Sequence, residues 1–170
     1  MAINKQPGAW ALIFCSQTGT FLLGKRSPTV KKPGVWNLFG GRIDERESPM
    51  AALLRELHEE TGFGISAAGA VDYGGPSAIP VPLGFVDGLR QLHYYLLIVD
   101  REAVPSLNAE HTEYAWFAPA AMPPDLNRPT RIAINIGLIQ KALHIAQPNT
   151  DSDLDMDVDP TDMDGDDLGS

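Results

Sequence analysis

Three glutamates lie close together in the first half of the chain, at Glu56, Glu59 and Glu60. In a helix, their spacing of three and four residues would bring the carboxylates onto adjoining turns, where like charges repel. A bound divalent cation would turn this repulsion into attraction, because carboxylate oxygens are ligands that suit Mg²⁺ and Mn²⁺. Glutamate-rich helix faces are also common as solvated surface, so the three residues alone leave both interpretations open.

The residues around these glutamates predict a helix that begins near Pro49 and ends near Gly62. Ser48 suits the position before the first turn, proline suits the first turn, and glycine suits the end. Apolar residues recur at helical spacing at Met50, Leu53, Leu54 and Leu57. The predicted helix therefore has one buried stripe and one acidic stripe.

The segment GRIDERESPMAALLRELHEETGF, residues 41–63, has a wider pattern of fixed residues. The pattern is Gly41, five residues, Glu47, seven residues, Arg55-Glu56-Leu57, one residue, Glu59-Glu60, one residue, Gly62 and the apolar Phe63. Leaving aside the two apolar positions, Leu57 and Phe63, a chance match at the seven fixed glycine, glutamate and arginine positions is on the order of 10⁻⁸ per starting residue. The segment resembles the signature motif of the Nudix hydrolase family, although Phe39 stands where many members have a proline.

The order of the other predicted elements is similar to the Nudix fold, an α/β/α sandwich with a mixed β-sheet. Apolar patterns predict strands at residues 10–16, 21–26, 92–99 and 114–117, a short extended stretch at 35–39, and a second helix at 131–146. Residues 67–90 are rich in glycine and proline, and they read as an irregular insertion around short strands that borders the site.

The resemblance implies a hydrolase that cleaves the phosphoanhydride bond of a nucleoside diphosphate linked to another moiety. ADP-ribose, nucleotide sugars and dinucleotides are substrates of this type. By position in the motif, Glu56, Glu59 and Glu60 would hold Mg²⁺ or Mn²⁺, and the carbonyl group of Gly40 would add a ligand. Bound metal would neutralise the diphosphate and lower the pKa of a water molecule.

The resemblance also implies roles for residues around the metal ligands. Arg55 would pair with Glu47 and hold the loop before the helix in place. The general base is left open by the family pattern, because some members use a glutamate of the helix, here Glu56, and others use a later loop. In this chain that loop offers Glu110, which we prefer, and Glu113.

Three residues are candidates for substrate binding. Arg26 and Lys32 lie on or just after the second predicted strand, where they would contact phosphates or simply keep an edge soluble. Trp36 is a candidate for stacking on a base, although aromatic residues in such strands more often belong to the core.

Two further functions stay open beside the main one. The chain could be a pyrophosphohydrolase that removes damaged nucleoside triphosphates and releases pyrophosphate. It could also be a regulatory Nudix domain that binds nucleotides without catalysis. The intact glutamate set favours an enzyme, since a binding module has less need of it.

Charge and composition argue against other classes of protein, such as nucleic-acid-binding and membrane proteins. The net charge of −9 equals the nine aspartates of residues 151–170, so the remaining residues are electrically balanced. We therefore expect a Nudix domain at 1–148, an acidic disordered tail at 149–170, and no general nucleic-acid surface.

No apolar run approaches the roughly 20 residues of a membrane span. The single Cys15 is consistent with a reducing cytoplasm, and many relatives of this type form homodimers.

Overall fold

The computed structural model describes residues 5–147 of the chain, and two β-sheets and three helices account for most of them. The nine strands are β1 Gly8–Cys15, β2 Thr20–Arg26, β3 Trp36–Asn37, β4 Phe39–Arg42, β5 Gly64–Ile65, β6 Val71–Asp72, β7 Val81–Asp87, β8 Gln91–Val99 and β9 His111–Phe117. The helices are α1 Pro49–Thr61, α2 Arg128–Asn135 and α3 Leu138–Ala146, with a short 3₁₀ turn at Pro119–Ala121. The acidic segment 149–170 lies outside the described residues.

The larger sheet is mixed and has seven strands. Strand β1 runs parallel to β8 along its whole length and antiparallel to β4 and β2. Strand β7 pairs with β8 at one edge, and β9 and β3 pair with β2 at the other side. Strands β5 and β6 form a separate two-stranded sheet. All eight residues of β1 are buried, as expected for a strand covered on both faces.

Each face of the sheet carries its own hydrophobic core. Helix α1 contributes Leu53 and Leu57 to the core on one face. Helices α2 and α3 contribute Ala133, Leu138 and other residues to the core on the opposite face. The fold is therefore the expected α/β/α sandwich, and the prediction of the fold class is confirmed.

Helix α1 has the boundaries that the sequence predicts. The Ser48 hydroxyl accepts a hydrogen bond from the Ala51 N–H at 3.1 Å, and Pro49 begins the helix. Gly62 ends it with a φ of 73°, a left-handed conformation that glycine adopts without strain. The acidic stripe is consequently fixed relative to the buried leucines.

The predicted second helix is wrong in detail. The single helix at 131–146 is two helices, because Gly137 has a φ of 85° that no helix tolerates, while the apolar spacing continues across it. The insertion at 67–90 contains strands, as expected, namely β6 and the seven-residue β7, whose pairing with β8 shifts register between Pro82 and Gly84. Pro82 is accommodated because β7 lies at the edge of the sheet. Within residues 5–147, no helix has the length and apolar character required to cross a membrane.

Candidate functional site

A cleft of about 560 Å³ opens beside strand β4 and helix α1. Charged residues dominate its lining. Its carboxylates are Asp44, which lies 3.5 Å from Nη2 of Arg55, and three glutamates that we call the acidic set, Glu56, Glu60 and Glu110. Its cations form the basic set, which consists of Arg26, Lys31, Lys32, Arg42, Arg90 and Arg128. A cleft with both sets offers ligands for cations and partners for anions.

Two adjacent glycines, Gly40 just before the motif and Gly41 at its start, let the backbone approach the acidic set. Gly40 has a φ of 148°, and a Cβ there would lie 2.1 Å from the carbonyl oxygen of Ala9. Its N–H donates to Oε1 of Glu60 at 3.3 Å. A Cβ on Gly41 would lie 2.7 Å from the carboxylate of Glu56. Side chains at these positions would displace the backbone or the carboxylate.

The three glutamates of α1 differ in exposure. The side chains of Glu56 and Glu60 are 15% and 2% exposed, and both line the cleft. The side chain of Glu59 is 52% exposed, lies 3.7 Å from Nη1 of Arg55, and is not part of the lining. The helix therefore directs two of its three carboxylates into the cleft and leaves the third nearer to solvent.

Arg55 connects the helix to the loop that precedes it. Its Nε and Nη2 donate to the two carboxylate oxygens of Glu47, each at 2.9 Å, and Nη2 also donates to the carbonyl of Arg42. Its Nη1 donates to Oε1 of Glu56 at 3.0 Å. The hydrogen bonds from Arg55 and from the Asp44 N–H lower the pKa of Glu47 to about 2. The loop and the helix are thus held together next to the acidic set.

Burial opposes ionisation of Glu56 and Glu60 in the metal-free protein. It raises the pKa of Glu60 well above its usual range, and the nearby charges of Glu56 and Glu110 raise it further. Burial also raises the pKa of Glu56, while the Arg55 guanidinium partly offsets this effect. A positive charge in the cleft would favour the ionised forms of both.

One cluster has donor atoms suited to a metal ion. Glu60, Glu110 and His111 each offer one ligand atom, and these atoms lie within 4.8 Å of one another. Oε2 of Glu60 is buried and has no hydrogen-bond partner among the described residues. A buried carboxylate oxygen without a partner is unusual, and a hard divalent cation would satisfy it. The residues present therefore fit the Mg²⁺ or Mn²⁺ that the motif implies.

The positive charges of the basic set are not neutralised by ion pairs within residues 5–147. None of its six residues forms an ion pair with a carboxylate in the described part of the chain. The guanidinium of Arg90 lies 5.0 Å from the centre of the Trp10 ring, and its Nε donates to the carbonyl of Gln6. Cations without partners at a cleft attract phosphate groups.

The predicted substrate residues have different positions. Arg26 and Lys32 line the cleft. Trp36 does not, because its ring packs edge-to-face on Phe117 with the ring centres 5.0 Å apart. Among the aromatic residues, Trp10 lines the cleft instead.

Sequence reasoning did not single out three other cations of the lining. Arg42 directly follows the motif's first glycine, and Arg90 ends the insertion that we expected to border the site. Arg128 begins α2, three residues before the predicted start of the helix. Their positions along the chain do not indicate that they meet in one cleft.

Comparisons with known proteins agree with this architecture. A family model described as the NUDIX domain matches residues 4–135. An octanoyltransferase from Myxococcus xanthus is 32% identical over 95 residues, which cover 56% of this chain and 25% of the relative. An 8-oxo-dGTP diphosphatase from Proteus vulgaris is 30% identical over 60 residues, or 35% of this chain and 54% of the relative. The chain thus spans a quarter of one relative and about half of the other.

A solved structure shares the fold. The MutT NUDIX hydrolase from Burkholderia pseudomallei has a TM-score of 0.53 and 24% identity, over 77% of this chain and 98% of that protein. The family match covers well over half of the chain, so the chain belongs to the Nudix family. The resemblance inferred from the motif is confirmed.

Proposed function

We propose that the chain is a divalent-metal-dependent pyrophosphohydrolase. It cleaves the phosphoanhydride bond of a nucleoside diphosphate linked to another moiety, such as ADP-ribose, a nucleotide sugar or a dinucleotide. The observation that carries this proposal is that the acidic set and the unpaired basic set line one cleft. A pyrophosphate group bound to metal ions requires both kinds of partner.

The metal ligands are Glu56, Glu59, Glu60 and the carbonyl group of Gly40. Support comes from the burial of Glu60, from its oxygen without a partner, and from the all-oxygen character of these donors, which suits Mg²⁺ or Mn²⁺. When bound, the metal neutralises charge on the diphosphate and lowers the pKa of an attacking water. The hydrogen bonds between Arg55 and Glu47 hold the loop against α1, so that the ligands stay in place.

The reaction requires a base for the attacking water. A bond forms between the water oxygen and one phosphorus atom, the bond from that phosphorus to the bridging oxygen breaks, and the water proton passes to a carboxylate. We assign this role to Glu110, which is exposed, lines the cleft and has no ion pair among the described residues. Glu56 is the alternative, although its Oε1 already accepts a hydrogen bond from Arg55.

The basic set binds the phosphate chain, with Arg26 and Lys32 as the two members that sequence reasoning selected. We propose no stacking role for Trp36, because its ring packs on Phe117 outside the cleft lining. A reducing cytoplasm fits the buried free thiol of Cys15. A homodimer stays a prediction from the family resemblance.

A nucleoside triphosphate pyrophosphohydrolase is the second candidate. Six unpaired cations exceed what the two phosphates of a diphosphate need once metal ions are bound, and a longer phosphate chain would use them. The 8-oxo-dGTP diphosphatase among the relatives acts, by its name, on a nucleotide of this type.

A product assay tests both candidates. The protein is incubated with Mg²⁺ or Mn²⁺ and a panel of ADP-ribose, nucleotide sugars, dinucleoside polyphosphates and nucleoside triphosphates, and the products are separated by anion-exchange chromatography. Nucleoside monophosphate with a phosphorylated second moiety supports the first candidate, and pyrophosphate supports the second. The Glu56→Gln variant is the control and should be nearly inactive. Ligand binding without turnover would favour the non-catalytic domain.

A further inference from the structure

Three polar side chains, Asn37, Glu60 and His111, are buried together beside the cleft. They are 3%, 1% and 4% exposed. Each has one atom without a hydrogen-bond partner among the described residues, namely Asn37 Oδ1, Glu60 Oε2 and His111 Nδ1. Buried polar atoms usually have partners, so this arrangement suggests a role beyond packing.

The orientation of the Asn37 amide follows from its backbone neighbour. The side-chain Nδ2 donates to the carbonyl oxygen of Leu38 at 2.7 Å. The reversed amide would bring two oxygens to that distance, where they repel each other. The atom that faces Leu38 is therefore the nitrogen.

The same nitrogen lies 3.1 Å from Nε2 of His111. Since Nδ2 has a second hydrogen and no lone pair to offer, it must donate to Nε2, which then carries no proton. A neutral imidazole has one N–H, so the proton is on Nδ1. The ring is also held laterally, because the Phe39 ring centre lies 5.0 Å away and only a glycine at Gly24 leaves room for it.

The Nδ1 atom faces Glu60. It lies 3.9 Å from Oε2 of that carboxylate, and these two atoms are the ones that lack partners. The distance exceeds that of a hydrogen bond, but the N–H dipole points toward this carboxyl group. Oε1 of Glu60 is meanwhile held by the Gly40 N–H. The Gly40 N–H therefore holds one oxygen of Glu60 by a hydrogen bond, and Nδ1 of His111 faces the other.

We infer that Asn37 fixes His111 in the tautomer protonated on Nδ1, so that His111 is a positioning residue for Glu60 and is withheld from the metal as a ligand. This inference rests on the proposed function, because it takes Glu60 to be a metal ligand. A protonated nitrogen has no lone pair for a cation, so the site keeps oxygen ligands only. Such a site favours Mg²⁺ or Mn²⁺ over softer ions such as Zn²⁺.

The alternative is that His111 itself binds the metal as the third member of the cluster with Glu60 and Glu110. This would require a lone pair on Nδ1 and a proton on Nε2. The proton on Nε2 would then point at the Asn37 nitrogen, which cannot accept it. Metal binding by His111 would thus require the Asn37 amide to turn and give up its hydrogen bond to Leu38.

The first measurement uses the wild-type protein without metal. Nitrogen NMR of the histidine-labelled chain should show His111 protonated on Nδ1 and unprotonated on Nε2. In Asn37→Ala, this preference of His111 for the tautomer protonated on Nδ1 should be lost. A wild-type His111 protonated on Nε2 would overturn the inference without bearing on the proposed hydrolase activity.

The second measurement uses the protein loaded with Mn²⁺. Spin-echo spectroscopy should detect no coupling between the metal and an imidazole nitrogen, and such coupling would overturn the inference while leaving the metal site intact. Mn²⁺ affinity should fall about 10- to 100-fold in His111→Ala. His111→Asn, whose amide can replace the Nδ1 donor, should recover part of the loss.

His144→Ala is the matched control, since His144 is an exposed histidine of α3 outside the cleft. Its Mn²⁺ affinity should equal that of the wild type. An unchanged affinity in His111→Ala would overturn the positioning role. A wild-type protein that binds no Mn²⁺ would overturn the proposed metal site itself, and the product assay would show this independently.

Discussion

The acidic and basic sets of the cleft are held in place by different parts of the fold. Two of the three carboxylates, Glu56 and Glu60, come from one helix and are largely buried. The six cations come from five separate parts of the chain, and four of them are exposed: Lys31, Lys32, Arg42 and Arg128. Glu56 and Glu60 are held by a helix that packs on the sheet, whereas three of the six cations, Lys31, Lys32 and Arg90, lie in loops.

This difference separates two tasks. Metal ligands must stay within a fraction of an ångström of their working positions, which a packed helix and its hydrogen bonds achieve. Substrate recognition can vary between relatives, and loops on a rigid scaffold permit this variation. We therefore expect substitutions in the acidic set to abolish the reaction and those in the basic set to alter substrate affinity.

The largest effect is expected within the acidic stripe of α1. Glu60→Gln should lower kcat/KM about 10²- to 10³-fold, because a buried carboxylate that holds a cation contributes several kcal/mol. Glu59→Gln should lower it only about tenfold, because Glu59 is half exposed and outside the cleft lining. Steady-state kinetics and Mn²⁺ titration of both variants test this order. Equal losses would show that exposure does not distinguish the two ligands.

A smaller effect is expected in the basic set. Arg128→Gln should raise KM about fivefold with little change in kcat, since an exposed charge contributes about 1 kcal/mol. The wild-type KM should also rise with salt concentration. Lys25→Gln is the control, because Lys25 pairs with Glu113 at 3.5 Å and does not line the cleft. A reduced kcat with an unchanged KM would place Arg128 in the chemical step instead.

The smallest effect concerns stability and pH. The pKa of Glu47 is about 2 in the fold, against 4.5 for the unperturbed group, so the unfolded chain binds this proton first. The Glu47–Arg55 pair should therefore stabilise the fold fully above about pH 4.5 and lose its contribution as the pH falls toward 2. Urea unfolding of the wild type and Glu47→Gln should give midpoints that converge over this range. If the difference between the two midpoints did not change with pH, the Glu47–Arg55 pair would not be its cause.

Local sequence patterns were sufficient for α1 and the motif. Ser48, Pro49 and Gly62 act through their own backbone geometry, so the helix boundaries could be predicted without knowledge of the rest of the fold. The apolar spacing failed at Gly137, because periodicity does not report a reversal of φ. The sequence indicated short strands within residues 67–90 but not the bounds of β7, whose edge position is a property of the whole sheet.

The motif also specified which residues could hold a cation, since their types and spacing lie within one helix. Only the tertiary structure decided which of these glutamates lines the cleft, because the exposure of each side chain depends on how α1 packs against β4. It likewise brought Arg42, Arg90 and Arg128 together and placed Asn37 against His111, a residue 74 positions away. Contacts between distant segments have no periodic signal, and so they follow only from the folded chain.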